Sequence, residues 1–558
     1  MIDIKLFKEK TFFQKLKISL FNLPPEKTFY SGTALILSAL FLIVAVFYFF
    51  STKIMTTEVA SKNQSIEMAI VGTFKHFNPI YANTSADNFV SSMLYSGLLK
   101  KNNNAWEKDL AENINVNPEG TKIDVQIKSV AKFSNGDPIL SDDIIFTYEL
   151  AANILADGIN RVKYEGLSFE KIDNKNFSII LSKNFSNISE ILSLGILSKK
   201  DYENESFETL QSSQKGFYSV TSGIYKIDKD ILVSNQINLS VNNNKYSSPN
   251  IKHINIQSYT SEQDLISDIS AGKEIDLIYN LSREIISKNK YFSNYKKQEY
   301  ITPVITALFL NPNKKDILAK KDFRKALYYS VNRSNISSLE LVNGKNTFDI
   351  LPGSDFRSTL ETKPLEDFKI SSSTLSLTIV DNEKQNKVAE QIKLDFQKIG
   401  ITINIIKEDQ SNIVNNIIKN RDFEILLYSI EINNLEDLYA FWHSSQRNAP
   451  GLNITNYTSN NFDKNLNIIK TSTKADEIQE SLASLLKEFY DEYPYIPLYT
   501  SIEKIYTKNT ININTPSQIY NKKELTSDII NWYKDKEKIW PIIKKYDNQI
   551  SKIYKLIH

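Results

Sequence analysis

Four histidines, His76, His253, His443 and His558, are the chain's readiest groups for proton transfer or metal binding, and they are scattered. None stands in an HxxxH or similar ligand spacing, and the chain has no cysteine, so neither a metal cluster nor a thiol nucleophile is indicated. No G-x-S-x-G elbow, glycine-rich phosphate loop or G-x-G-x-x-G turn occurs either. Adjacent acids remain, Asp142-Asp143 and Glu436-Asp437. A carboxylate pair is what a glycosidase uses, but neighbouring acids at a helix start face the positive end of its dipole, and capping is the simpler reading. The guanidinium of Arg447 can meet a carboxylate through two parallel hydrogen bonds. These residues point to binding rather than catalysis, with no cofactor and no metal expected.

The elements that must position such groups form a large body. Composition balances 67 basic against 65 acidic residues for a net charge of +2, and no basic tract runs through the part beyond residue 50. Nucleic acid is therefore not an expected partner. Aromatics reach 11%, with 29 Tyr, enough to line a cleft as well as to fill a core.

Along the chain, Ile66 to Val71 reads as a strand, followed by Phe77-Asn78-Pro79 and a helical apolar pattern through Phe89, Met93, Leu94 and Leu98. Ile123, Val125 and Ile127 alternate with polar residues as in a half-buried strand. Asn135-Gly136-Asp137-Pro138 is a turn, and Ser141 is placed to cap a helix opening with Asp142 and Asp143. Ser261 caps a helix that Gly272 can close, ahead of a strand at Ile275 to Ile278. Ala307 to Leu310, Leu375 to Val380, Ile401 to Ile405, Phe423 to Tyr428 and Leu498 to Ser501 read as strands. Helical patterns at Asp322 to Asn332, Lys387 to Ile399 and Ala475 to Tyr490 alternate with them. Strands and helices of this size in alternation argue for α/β lobes.

Ahead of this body lies Thr33 to Phe50, an uncharged run in a chain that is 24% charged. At 1.5 Å per residue it covers ~27 Å, the threshold for a hydrocarbon core of ~30 Å. Lys5, Lys8, Lys10, Lys15, Lys17 and Lys27 precede it against Asp3, Glu9 and Glu26, which orients the first 32 residues to the cytoplasm and the bulk outward. The expectation is a single-pass cell-membrane protein: a basic segment at 1–32, a transmembrane helix at 33–52 retained as a signal anchor, and a linker at 53–65. The competing reading is a cleaved signal peptide, whose small-residue site could only be Val59-Ala60-Ser61, well past the apolar run. Ile4 to Phe21 reads as a basic helix lying on the inner face or as a loose tail, and the pattern from Trp532 to His558 as an amphipathic helix.

These segments, in this order, resemble the family 5 extracellular solute-binding proteins, the oligopeptide and dipeptide receptors of ABC importers. KFSNGDPILSDDIIFTYE carries the most specific match, and DFRKALYYSVNRSNI is similar to the family's Arg-x-Ala-aromatic helix, with Asn332 where an Asp precedes the Arg. AEQIKLDFQKIGITINI, YPYIPLYTS and ISAGKEIDLI agree with it. The resemblance runs from about Ser65 to about Tyr533. It implies an α/β fold, a two-lobed periplasmic-binding-protein-like clamshell with an extra subdomain. The first lobe is expected at 66–300, including an insertion at about 97–221, the second at 301–490, a return to the first at 491–533, and a tail at 534–558. Crossings near 301 and 490 would act as hinges.

The implied ligand is a short peptide, captured by a monomer and passed to ABC permease subunits. The alternatives are a tethered peptide or pheromone sensor, for which the lysine-bearing N-terminal segment speaks, and a non-transport surface protein on the same fold. In peptide-binding relatives an acid three residues after an aromatic, just past a buried strand, holds the ammonium; the match here is Tyr428 and Glu431. Phe441 and Trp442 are candidates for an aromatic wall, Tyr81 and Asn83 for first-lobe contacts, and Arg447 for the ligand carboxylate.

Overall fold

The computed structural model describes residues 25–49, 57–61, 64–82, 84–102, 105–152, 163–182, 188–205, 207–210, 217, 219–228, 235–245, 248–281, 290–339, 341–352, 372–513 and 522–539. Two compact units divide the chain, one of residues 1–61 with 535–558 and one of residues 62–534.

In the smaller unit, helix α1 spans Pro25–Phe49. It begins on Pro25, whose fixed φ and missing N–H suit a first helical position. Its described side chains are exposed from Ile36 to Phe49, about 20 Å of helix at 1.5 Å per residue. Among the described residues no helix is long and apolar enough to cross a membrane. Strand β1 (Thr57–Ala60) pairs antiparallel with a strand at Lys536–Ile539. Here residues 57–60 of the anticipated linker form a strand, and residues 536–539 of the tail are extended. The rest of the tail, from residue 540, falls outside the described residues.

The larger unit is built on one mixed sheet. Strand β2 (Gln64–Val71) leads through helix α2 (Ser85–Leu94) to the hairpin β3 (Leu99–Asn102) and β4 (Ala105–Lys108). Next comes an antiparallel sheet in the order β5 (Ala111–Val116), β6 (Lys122–Ile127), β8 (Asn176–Leu181), β7 (Leu167–Lys171), with helix α3 (Ser141–Ala152) between β6 and β7 in sequence. The main sheet resumes with β9 (Tyr225–Ile227), β10 (Gln236–Val241), β11 (Ile251–Tyr259), helix α4 (Glu262–Ser270) and β12 (Leu277–Tyr279). Strand β13 (Tyr295–Leu310) carries the chain onward to helices α5 (Lys321–Ser330) and α6 (Arg333–Ser337) and to β14 (Gly344–Asn346). Then follow β15 (Ser373–Val380), helix α7 (Glu383–Gln397), β16 (Ile401–Glu408), β17 (Ile425–Glu431) and helices α8 (Asp437–Trp442), α9 (Asn460–Thr471) and α10 (Ala475–Glu492). Strand β18 (Tyr495–Lys508) returns the chain. The sheet order is β16-β15-β17-β13-β18-β12-β2-β11-β10-β9, with β14 on β18.

Apolar cores separate along this sheet. One collects Ile66 to Tyr300 with Ile505 to Trp532, joined by a small cluster around Leu265 and Tyr506. Two others draw only on Ile305 to Tyr499. We refer to the two sides as the first and second halves. Only β13 and β18 belong to both. They pair antiparallel along nearly their whole length, with a register break where Ile301 faces Ile502 but Ile305 faces Thr500. The Oγ1 of Thr302 donates to the carbonyl of Ser501 at that break (3.1 Å).

Local caps follow the sequence with one exception. Ser261 accepts the Asp264 N–H, and Gly272 and Gly400 close their helices at φ +97° and +81°, where a side chain would be strained. Asn332 replaces an acid yet still caps α6, its Oδ1 accepting the Asn335 N–H at 3.0 Å. Arg333 is buried on the carbonyls of Pro497 (2.7 Å) and Tyr328 (3.1 Å), between the rings of Tyr328 and Phe348. At α3 the expected cap is absent: the Ser141 hydroxyl has no hydrogen-bond partner among the described residues, and Asp143 reaches back to the Leu140 N–H (2.8 Å) instead. The acid of a capping box has taken over a role expected of the serine.

Candidate ligand cleft

Strand β17 places the acid. It pairs antiparallel with β13 so that Glu431 stands opposite Val304, immediately beside the register break. Tyr428 stands opposite Ala307 and packs on the second-half core. Side chains alternate along a strand, so residues three apart point to opposite faces. Tyr428 and Glu431, both half-buried, therefore do not share one wall.

Past the strand, the Ile432 N–H is held by the Pro303 carbonyl (2.8 Å), which ties this loop to the β13 side of the break. The loop folds back on α8 through two bonds. Asp437 Oδ2 accepts the Asn433 N–H (2.9 Å), and Asn434 Oδ1 accepts the Asp437 N–H (3.0 Å). Asp437 is 5% exposed. Burial pushes its carboxyl up to about 6, Lys163 and the Asn433 bond oppose the shift, and Glu190 and Glu436 add to it.

Lys163 belongs to the first half, as does its partner: its Nζ lies 3.1 Å from Glu190 Oε1, with both side chains largely buried. Burial alone would lower the lysine, but Glu190, Tyr164 and Asp437 together push it up. Charges from the two halves thus meet at one place. No spacing signal announces this, because Lys163 and Asp437 are brought together only by tertiary structure. In sequence Asp437 was legible as one of an adjacent pair of helix-start acids that compete with Glu431.

The other expected residues divide. Phe441 and Trp442 are buried in the second-half core, the Trp442 ring lying 4.8 Å from that of Tyr495 and 6.1 Å from that of Phe489. As the last two residues of α8 they anchor it to that core. Arg447 is exposed and donates from Nε to the Ser444 carbonyl (3.3 Å). Tyr81 sits in the first half against the edge of His76, at 5.6 Å between ring centroids. Asn83 lies outside the described residues.

The loop around Tyr81 is fixed from two sides. Asp87 Oδ1 accepts the backbone N–H groups of Lys75 (2.8 Å) and His76 (3.1 Å), and His76 Nδ1 accepts the Asn78 N–H (3.1 Å). Burial holds the imidazole below its ordinary range, against the Leu210 carbonyl and Asp87. At the start of α2, the Ser85 hydroxyl donates to Glu503 Oε1 (2.6 Å). Glu503 also receives the hydroxyls of Tyr279 and of Tyr300. It stands on β18 just past the register break. Sequence reasoning missed Glu503, which stands among Ser501, Lys504 and Thr507 in a mixed stretch with no pattern to mark it.

A cavity of about 200 Å³ lies in the first half, lined among others by Tyr95, Trp106, Asp109, Glu190, Lys245 and Glu524. Of the cleft residues above, it is lined only by Glu190. Among the described residues no group of three His, Asp or Glu could hold a metal ion.

The family model for bacterial extracellular solute-binding proteins, family 5, matches residues 105–450. The chain belongs to this family. The oligopeptide-binding protein AppA of Bacillus subtilis is 23% identical over 514 residues, 84% of this chain and 93% of AppA. The same protein, solved in complex with a nonapeptide, superposes with a TM-score of 0.71 over 85% of this chain and 99% of that one, at 20% identity. DppA from Helicobacter pylori, in complex with the peptide STSA, gives 0.70 at 14% identity over 85% and 99%. NikZ from Campylobacter jejuni, in complex with Ni(L-His), gives 0.68 at 18% identity over 84% and 99%. This family 5 chain therefore has the mixed α/β fold of the solute-binding proteins. The ligands of these relatives differ, so the fold does not fix the ligand.

Proposed function

We propose that the chain captures short peptides between its two halves and offers them to the permease of an ABC importer, while Thr33 to Phe50 holds it at the outer face of a cell membrane as a single-pass anchor. The observation that carries this reading is the collinear likeness to an oligopeptide-binding protein over most of both chains. In this reading the pivot is the pair of crossings at 302–304 and Ser501. Tyr495 to Tyr499 pair with the Thr306 to Phe309 stretch of β13, which supports taking Ser501 as the return crossing in this reading. The halves close around ligand, as in hinge motions about a site that neither part completes alone. Glu431, beside the pivot, takes the peptide ammonium; Tyr428, Tyr81, Asn83 and Arg447 remain candidate contacts, and Phe441 and Trp442 act as support.

Titration of the full chain in detergent with a mixed pool of short peptides, followed by tryptophan fluorescence, tests the reading. A saturable change is expected; a flat response across the pool would overturn it. Retention of the intact chain in membranes after alkaline extraction tests the anchor. The lysine-bearing segment ahead of α1 favours a second reading, a tethered sensor. Co-purification of a kinase or regulator in place of permease subunits would decide for that.

A further inference from the structure

The chain enters and leaves the larger unit side by side. The Lys534 N–H donates to Gln64 Oε1 (2.7 Å), and beyond that bond the Ser61 N–H reaches the Asp535 carbonyl (3.0 Å). Strand β1 and the strand at Lys536–Ile539 then continue the pairing, with Ala60 opposite Lys536 and Thr57 opposite Ile539. Because the pair is antiparallel, the strand that follows the body runs back toward the end of α1. Thr57 is eight residues past Phe49, at most ~26 Å of extended chain. Residue 540 therefore leaves the ribbon at its α1 end, and residues 535–558 fall in one unit with α1.

Four residue pairs make a short ribbon, and an isolated pair of strands is marginal in water. The sequence that follows is suited to a surface. From Trp540 it reads WPIIKKYDNQISKIYKLIH. Ile543, Tyr546, Ile550, Ile553 and Ile557 recur at intervals of three and four, a single stripe on an α-helix, and Lys544, Lys552 and Lys555 fall on the opposite face. Pro541 suits the first position of such a helix.

Resting on the anchor reading of α1, we propose that residues 541–558 form an amphipathic helix lying on the outer face of the same membrane. Its isoleucine stripe enters the acyl boundary and its lysines stay at the headgroups. Trp540, with an apolar body and one polar edge, sits at headgroup level. The body is then held by two attachments joined through one ribbon. A ribbon fixed at both lower ends swivels less freely than a single linker, which limits the directions in which the body can face.

The chain has no cysteine, so single cysteines can be labelled cleanly. The full chain is reconstituted into vesicles of phosphatidylcholine with phosphatidylglycerol. An environment-sensitive fluorophore is then attached in turn at Ile543→Cys, Lys544→Cys, Ile550→Cys, Lys552→Cys and Ile557→Cys. Labels replacing isoleucine should be quenched by doxyl-labelled lipid and shielded from iodide; labels replacing lysine should show the reverse. Adding Tyr546→Asn and Ile553→Asn should return the Ile550→Cys label to iodide, while alkaline extraction still leaves the chain in the membrane. Iodide access at every position means a free tail, and shielding of the isoleucine positions without doxyl quenching means that the stripe packs on protein. Either result overturns this inference and leaves the anchor standing. Release of the whole chain by alkaline extraction overturns the anchor, and the second attachment with it.

Discussion

Lys245 is a deeply buried cation of the first half, and removing its counter-charge should be among the most damaging single changes there. Its side chain is 3% exposed, and Nζ reaches Asp109 Oδ1 at 2.9 Å, Ser96 Oγ at 2.8 Å and the Ser222 carbonyl at 3.5 Å. Burial holds the ammonium below the ordinary lysine range, with Asp109 the largest opposing influence. In Asp109→Asn the charge stays buried with dipoles alone, and breaking a buried pair in this way typically costs about 3–5 kcal/mol. Lys245→Met should cost less, about 1–2 kcal/mol, because the Asp109 side chain left behind is 12% exposed and keeps some water. The double variant should resemble Lys245→Met, giving a coupling as large as the Asp109→Asn loss itself, about 3–5 kcal/mol. Urea unfolding of the full chain in mild detergent, followed by tryptophan fluorescence, reports on this region through Trp106, which lines the adjoining cavity with Lys245. A lysine whose pKa is depressed by folding leaves the unfolded chain holding more protons, so stability rises with pH. The Asp109→Asn defect should accordingly be deepest at neutral pH and fade toward pH 10. A loss below about 1 kcal/mol, or strictly additive singles, would refute the reasoning.

Three further outcomes follow from the same geometry. Trp442→Ala should lose about 3–5 kcal/mol in thermal or urea unfolding, as expected for a large ring removed from a core; an unchanged melting temperature combined with weakened peptide binding would return Trp442 to the cleft wall. Asn332→Ala should lose about 1 kcal/mol by removing the α6 cap, while Asn332→Asp should be neutral or slightly stabilising, measured in the same assay. Asp437, raised in the folded chain, contributes stability that is present at low pH and lost as pH rises through about 6. The body should therefore gain about 1–2 kcal/mol between pH 7.5 and pH 5.0 through this residue, and comparison of melting curves with Asp437→Asn should show that gain missing from the variant.

Much of the fold was legible because local chemistry and tertiary need agree. Ser261, Gly272 and Gly400 do what their residue types suggest, and the apolar alternation at Ile123 to Ile127 is a half-buried strand. The two longest strands were read only at their apolar ends, Ala307 to Leu310 and Leu498 to Ser501. Their other ends, YKKQEY and EKIYTK, interleave Lys and Glu with aromatics; the first is largely exposed or half-buried, while the second is buried between β12 and β13 in spite of its charges. Ser141 illustrates a competition that sequence does not resolve, since the acid two residues later can satisfy the same turn from the other direction. In the candidate site, the odd spacing of Tyr428 and Glu431 already excluded a shared face on a regular strand. Lys163 and Glu503 gave no pattern, because their partners, Glu190 and Asp437 in one case and Ser85, Tyr279 and Tyr300 in the other, are set by the tertiary fold.

The double passage of β13 and β18 also bears on how the protein is made. Strand β12 has β2 on one side, but its other neighbour is β18, so that edge of the first half stays open until Lys508 has been synthesised. The second half, contiguous from Ile305 to Tyr499, contains all its own core residues and can assemble while the first waits. Long-range strand pairing of this kind is slow, and an unpaired edge held open meanwhile is exposed to wrong partners. A chain emerging in this order depends on being kept from its neighbours until β18 arrives.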